Sequence, residues 1–285
     1  MGRNFITYFD QHYIPKGLAM LRSLLRHNPD SEIYVVCCDD RTMDVVMNED
    51  RDHVIPVALS VIEKDDKALA AAKENRSWVE YMWTLTPTVM LWAIDNAWSM
   101  ANPVAYIDAD LYFFASLDPL YKEVGNAVGA VIPHRWTPRH AVRLKPNGIY
   151  NVSWTYAKNS FDAVKFLTEW RNLCIDWCYV SGIHGVGDQG HLDQLVPKYN
   201  IHEVKHLGAN LAPWNQEQYK YWKEGNDFII DNYPLLFYHF HEFKHLDNGT
   251  VIQRTGYPLN EAVINNIYLP YEREILEVCN DLAKT

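Results

Sequence analysis

Asp108 and Asp110 stand two residues apart inside an otherwise apolar run, Val104-Ala105-Tyr106-Ile107-Asp108-Ala109-Asp110-Leu111-Tyr112-Phe113-Phe114. Carboxylates enter such surroundings only with compensation. In an extended chain residues i and i+2 point to the same side, so the two side chains are expected to converge. Converging carboxylates repel unless a cation lies between them. A hard divalent ion, Mg²⁺ or Mn²⁺, suits two carboxylate oxygens together with the phosphate oxygens of a ligand. The plain structural alternative is that Asp110 caps a turn and Asp108 is solvated at a strand end. The flanking apolar runs place the pair at the end of a core strand, where α/β proteins bind ligands.

Four further stretches could do chemistry. Asp10-Gln11-His12-Tyr13 follows the first apolar run, where Tyr13 could stack on a base and Asp10 hold a polar group of a nucleoside. Gly187-Asp188-Gln189-Gly190 opens a helical segment, with Asp188 either a plain N-cap or a carboxylate facing a ligand. Gly208 to Asn215 is a turn-rich loop carrying an exposed-looking Trp214 beside Asn215, the mixture of apolar face and hydrogen-bonding groups that a sugar ring takes. In Tyr238-His239-Phe240-His241-Glu242-Phe243-Lys244-His245, His239 or His241 could complete a metal site and Lys244 could meet a phosphate.

These groups need elements to hold them. Phe5–Phe9, Ile33–Cys38 and Val54–Val57 read as strands. Pro15–His27 and Thr42–Asn48 read as the helices between them, and that alternation indicates a parallel sheet wrapped by helices. The polar stretch Asp65–Glu80 is expected to be helical, and Thr86-Pro87 to open another helix. Asp108 and Asp110 follow on the next strand. Pro119–Glu123 is a short helix, Ala127–Pro133 and Asn151–Lys158 are strands, and Ser160–Val180 is a long helix with Phe161, Val164, Phe166, Trp170 and Cys174 inward. Gly187–Val196 is a further helix and Pro234–Phe240 a late strand. Glu261–Ala283 is mostly helical around Tyr268, Ile275, Leu276 and Val278. No repeat or linker divides the chain, so one α/β domain is expected over residues 1–258, with 259–285 a helical extension packed on it.

The 285 residues are 48% hydrophobic and 22% charged, an ordinary globular composition. With 26 basic against 36 acidic side chains the net charge is −10, which argues against nucleic acid as a partner. The five cysteines, an odd number without framework spacing, suit a reducing compartment. No apolar run reaches membrane-span length and no signal pattern stands at the N-terminus, so a cytoplasmic protein is expected, able to sit at a membrane surface.

The order of these motifs, Asp10-x-x-Tyr13, Tyr106-Ile107-Asp108-Ala109-Asp110, Asn151, Asp188-Gln189, Trp214-Asn215 and His239…Lys244, resembles the GT-A glycosyltransferases over about residues 4 to 246. It is most similar to the family-8, galactosyltransferase and glycogenin-like group and to bacterial nucleotide-diphospho-sugar transferases of surface-polysaccharide clusters. The resemblance implies a single GT-A domain with a mixed, mostly parallel sheet. It implies Thr7, Tyr8, Asp10, Tyr13, Asp108 and Lys244 at the nucleotide, a UDP-sugar as donor, and Asp108, Asp110 and His239 holding Mn²⁺ or Mg²⁺. Asn151, Trp214 and Asn215 would face donor sugar or acceptor. Asp188 and Gln189 would be catalytic in transfer to a saccharide or glycan acceptor with retention, by a covalent or a same-face route. Two departures stand out. The family's ending after the histidine contains Gly and finishes Lys-Pro-Trp, which this chain lacks, so His241 stays an alternative ligand. No Arg lies in Tyr81–Thr88, where the family often places one near the sugar; only Arg76 is near. The competing readings are a sugar-phosphate nucleotidyltransferase, which would want a Gly-rich basic loop where Asp10-Gln11-His12-Tyr13 stands, and a non-catalytic carbohydrate-binding subunit. Acceptor, linkage and oligomeric state are not legible.

Overall fold

The computed structural model describes residues 3–50, 52–97, 102–180 and 185–284. Its centre is a seven-stranded sheet in the order Val54–Ala58, Ser31–Cys37, Arg3–Phe9, Val104–Ile107, Tyr150–Ala157, Gly129–Pro133, His202–Glu203. The first four strands run parallel. Tyr150–Ala157 is antiparallel to both of its neighbours, and His202–Glu203 is parallel to Gly129–Pro133. This is the mixed, mostly parallel α/β sheet that the alternating apolar runs indicate.

Alternation along each strand divides two cores. Phe5, Phe9, Val35, Ile107 and Trp154 face the helix Ile14–His27 and the last helix, Leu269–Leu282. Ile6, Tyr8, Val36 and Tyr106 face the helices Trp78–Asn96 and Phe161–Asp176. The last helix belongs to the first core through Tyr271, Ile275 and Val278. Tyr271 stacks on Phe240 at 3.7 Å, and Glu274 accepts hydrogen bonds from Arg26 and from the Tyr112 hydroxyl, each at 2.9 Å. Among the described residues no helix is long and apolar enough to cross a membrane.

Several expectations need correction. Asp65–Glu80 is not one helix: Leu59–Asp65 and Lys67–Ala72 are separated by Asp66, whose carboxylate accepts the Leu69 N–H and pairs with Arg171. Thr86-Pro87 does not start a helix. Ser77 and Glu80 form a reciprocal capping box that starts it at Trp78, and Pro87 lies in its interior. The long helix ends at Asp176, and Phe161, at its first turn, is 73% exposed. Leu276 likewise faces solvent. Gly187–Val196 is a short 3₁₀ turn, Gln189–His191, leading into the helix Leu192–Tyr199.

Candidate active site

The two aspartates sit where the chain changes sheets. Asp108 prolongs the central sheet by donating its N–H to Ser153 O at 2.9 Å. The chain then turns, with the Leu111 N–H returning to Asp108 O, and Leu111–Phe113 pairs antiparallel with Phe237–His239 instead. The carboxylates therefore converge through a turn, not along an extended strand. Strand pairing sets His239 opposite Leu111, and the Phe240 N–H donates to Asp110 O at 2.9 Å. His239 Nε2 lies 3.3 Å from Asp110 Oδ1 and 3.9 Å from Asp108 Oδ2. One ligand atom from each of Asp108, Asp110 and His239 falls within a 4.8 Å group. His241 is outside it, half-exposed, with Nε2 3.8 Å from Glu242.

The electrostatics are asymmetric. Burial, reinforced by Asp110, pushes Asp108 up to about 6, against His239 and the Tyr106 hydroxyl that donates to it at 2.7 Å. Burial would also raise Asp110, but His239, by charge and hydrogen bond, with help from Lys16, holds it well below the usual carboxylate range. Burial opposes a charged His239, and the two aspartates outweigh it and raise its pKa. Two carboxylate oxygens and one imidazole nitrogen at this spacing are a donor set that fits Mn²⁺ or Mg²⁺. Occupancy by an ion would replace the proton-mediated pairing that now offsets the repulsion.

The group opens into a cleft of about 410 Å³. Tyr8, Asp10, Tyr13, Asn151, Asp188, Gln189 and Trp214 line it together with the three possible ligands. Asp10 accepts from His12 N–H at 3.0 Å and from Trp78 Nε1 at 2.8 Å. Tyr13 is 42% exposed, with Lys16 Nζ 4.4 Å from its ring centroid. Asp188 is only 3% exposed; one oxygen accepts the Gln189 N–H at 2.8 Å and the other has no partner. Burial first, then the charge of Asp108, drives Asp188 up to about 7, opposed by the neighbouring Thr86 hydroxyl and by the Gln189 N–H. The Gln189 amide is fixed at both ends, donating to Asn147 O at 2.9 Å and receiving Asn151 Nδ2 at 3.5 Å.

Four expected site residues stand differently. Thr7 is fully buried within the sheet, since its neighbour Tyr8 takes the side of the strand that faces the cleft. Asn215 is fully buried as a loop brace, accepting the Ala212 N–H and donating to the carbonyls of His134 and Asn210. Lys244 is exposed and does not line the cleft. Trp214 lines the cleft but is not exposed: its indole N–H donates to His134 O and its ring packs edge-on to His239 at 5.2 Å. Arg76 is spent on the carbonyls of Cys174 and Ile175.

Other residues reach the cleft with only an indirect sequence signal. Trp78 and Tyr106 line it from the helix and strand behind the aspartates, and His134, Trp136, Arg143 and Tyr257 line it from loops. Lys16, nearly buried in the helix Ile14–His27, is driven down by burial against the pull of Asp110. The capping box before Trp78 and the basic, aromatic run from His134 to Lys145 were the available clues.

No family model matches the sequence. The chain is 32% identical over 273 residues to the uncharacterized protein YfnD of Bacillus subtilis strain 168, spanning 94% of this chain and 87% of that protein. It is 27% identical over 253 residues to the uncharacterized protein YfnF of the same organism, spanning 86% and 82%. Among solved structures, the galactosyltransferase LgtC with donor and acceptor sugar analogs superposes with a TM-score of 0.59 at 13% identity, over 98% of this chain and 95% of that one. The apo glycosyltransferase GlyE of Streptococcus pneumoniae TIGR4 gives 0.57 at 14%, over 100% and 64%. Mouse xyloside xylosyltransferase 1 gives 0.52 at 12%, over 85% and 98%. The chain belongs to the family of YfnD, and its fold is that of the GT-A glycosyltransferases.

Proposed function

We propose that this protein is a metal-dependent glycosyltransferase that moves a hexose from a UDP-sugar to a saccharide acceptor with retention, in the cytoplasmic assembly of a bacterial surface polysaccharide. Residues 1–258 are the transferase unit, with 259–285 packed on it. The observation that carries the reading is the grouping of Asp108, Asp110 and His239 on the wall of a cleft that also holds Asp188 and Gln189. Likeness to LgtC, GlyE and the xylosyltransferase supports sugar transfer as the chemistry.

In this reading Asp108, Asp110 and His239 hold Mn²⁺ or Mg²⁺. A divalent ion there supplies positive charge to a departing diphosphate. Tyr13 and Asp10 engage the nucleoside, with Trp78 fixing the Asp10 carboxylate. Sugar transfer builds positive charge at the anomeric carbon. Asp188, buried and with one oxygen unpartnered, is the carboxylate available to meet that charge. Its raised pKa means that the charged form is poorly solvated, so a cationic centre beside it gains more than it would in water. Gln189, clamped by Asn147 and Asn151, presents its dipole in a fixed direction. The test is UDP release from a panel of UDP-sugars with Mn²⁺, with and without chelator, in wild type and Asp110→Asn. Chelator-insensitive turnover, or equal turnover by the variant, would sink the reading.

A further inference from the structure

The run from His134 to Asn147 carries Arg135, Arg139, Arg143 and Lys145 and not one acidic residue, in a chain of net charge −10. Its cations have different fates. Arg135 donates to the carbonyls of Val204, His206 and Ala209, and so locks the run to the loop beneath it. Arg139 pairs with Glu217 at 3.2 Å. Arg143 has no carboxylate within ion-pair distance among the described residues; its guanidinium lies 5.1 Å from the Tyr257 ring centroid and faces the cleft. The other charged side chains lining the cleft, histidines aside, are the acids Asp10, Asp108, Asp110 and Asp188. Among the described residues lining the cleft, Arg143 is thus the one permanent cation.

Around it the wall is aromatic and held in place. Trp136 stacks on His134 at 4.5 Å, lies 5.8 Å from Trp214, and donates its indole N–H to Gly148 O. Tyr257 packs against His140 at 5.0 Å, and His140 is in turn bonded to Thr137 and the Trp214 carbonyl. Tyr257, whose ring Arg143 approaches, lies 6.4 Å from the His241 ring, and His241 lies 5.5 Å from Trp214, so Arg143 sits toward the Trp214 and His241 end of the cleft. A flat aromatic surface beside a planar guanidinium takes a sugar ring on one part and a carboxylate or phosphate on the other.

We propose that the acceptor is an anionic saccharide, its carboxylate or phosphate held by Arg143 and a sugar ring lying on the Trp136–Tyr257 wall. This rests on the transferase reading and adds the chemical class of the second substrate. The site takes either anion, and the probes separate the sources: oligosaccharides ending in glucuronic acid, in a glycerol-phosphate-substituted hexose, and in neutral glucose.

Binding of each probe is measured by calorimetry on the wild type and on Arg143→Gln, with Mn²⁺ and UDP titrated separately. Arg143 is exposed, so the variant keeps the fold. The wild type is expected to bind one acidic probe at least about tenfold tighter than the neutral one, the scale of one charge-assisted pair. Arg143→Gln should erase that difference and leave Mn²⁺-dependent UDP affinity within about twofold, and Arg143→Lys should restore it only in part, because the planar fork is lost. Equal binding of the neutral probe, binding of none, or no response to Arg143→Gln overturns the proposal. A matching loss in UDP affinity instead assigns Arg143 to the donor diphosphate and also overturns it. Failure of the transferase reading shows separately, as absence of Mn²⁺-dependent UDP binding in the wild type.

Discussion

Replacing Asp188 by Asn should stabilise the metal-free protein at alkaline pH and do so progressively as pH rises. Asp188 is 3% exposed, one of its oxygens has no partner, and burial with the field of Asp108 lifts its pKa from 3.8 to about 7. The native state therefore keeps a proton that the unfolded chain sheds. Between about pH 4 and pH 7 the native state binds more protons, so stability falls as pH rises through that window and the loss is complete above the folded pKa. A displacement of about three units at 1.36 kcal/mol each sets the full penalty near 4 kcal/mol, reached above pH 7. At pH 5 a little over one unit of that has accrued. Asn keeps an oxygen for the Gln189 N–H but puts an amide N–H₂ where the unpartnered oxygen was, a cost of about 1–3 kcal/mol that does not depend on pH. Comparing two pH values cancels that cost. In urea unfolding with chelator present, the stability of Asp188→Asn relative to wild type should rise by about 2–3 kcal/mol from pH 5 to pH 8. A flat difference would mean that Asp188 titrates as an ordinary carboxyl and that the buried-charge argument is wrong.

Turnover should fall on acidification through about pH 7 as Asp188 takes up its proton, and Asp188→Asn should abolish that limb together with most of the activity, read from the pH profile of kcat. His239→Ala and Asp110→Asn should each remove Mn²⁺-dependent UDP binding in calorimetry, whereas His241→Ala should leave it near wild type. Tyr13→Ala should weaken UDP by about 1–2 kcal/mol, one lost aromatic stack, and an unchanged Kd would take Tyr13 out of the nucleoside site. Gly208→Ala should cost more than about 2 kcal/mol in thermal or urea unfolding, because a Cβ there would lie 1.8 Å from Pro234 O.

The sheet and the Asp108–Asp110 carboxylate pair were legible because their signals are local. Apolar runs such as Ile33–Cys38 bury on both sides and read as strands whatever surrounds them, and a carboxylate pair amid Tyr106, Ile107 and Leu111 needs a reason. Pro87 misled because proline at a helix start is the commoner use, while here the Ser77–Glu80 box set the start upstream. Trp214 and Asn215 looked like an exposed sugar platform. Their burial follows from His134 O, which takes both side-chain N–H groups and comes from a strand end far along the chain. Lys16 and Arg143 were invisible for the same reason. Nothing within the helix Ile14–His27 tells that one lysine faces Asp110, and nothing in the basic run tells which of its cations the fold leaves without an acid.

The last helix grips the strand that leads away from the aspartates: Glu274 takes the Tyr112 hydroxyl, and Tyr271 covers Phe240, the residue after His239. During synthesis the aspartates emerge before His239, and His239 before the helix Leu269–Leu282 that packs on their strands. A nascent chain can thus display Asp108, Asp110 and His239 and still lack the clamp. A truncation before Leu269 should therefore give a protein whose Asp108–His239 junction is open to proteases that the chain carrying Leu269–Leu282 resists.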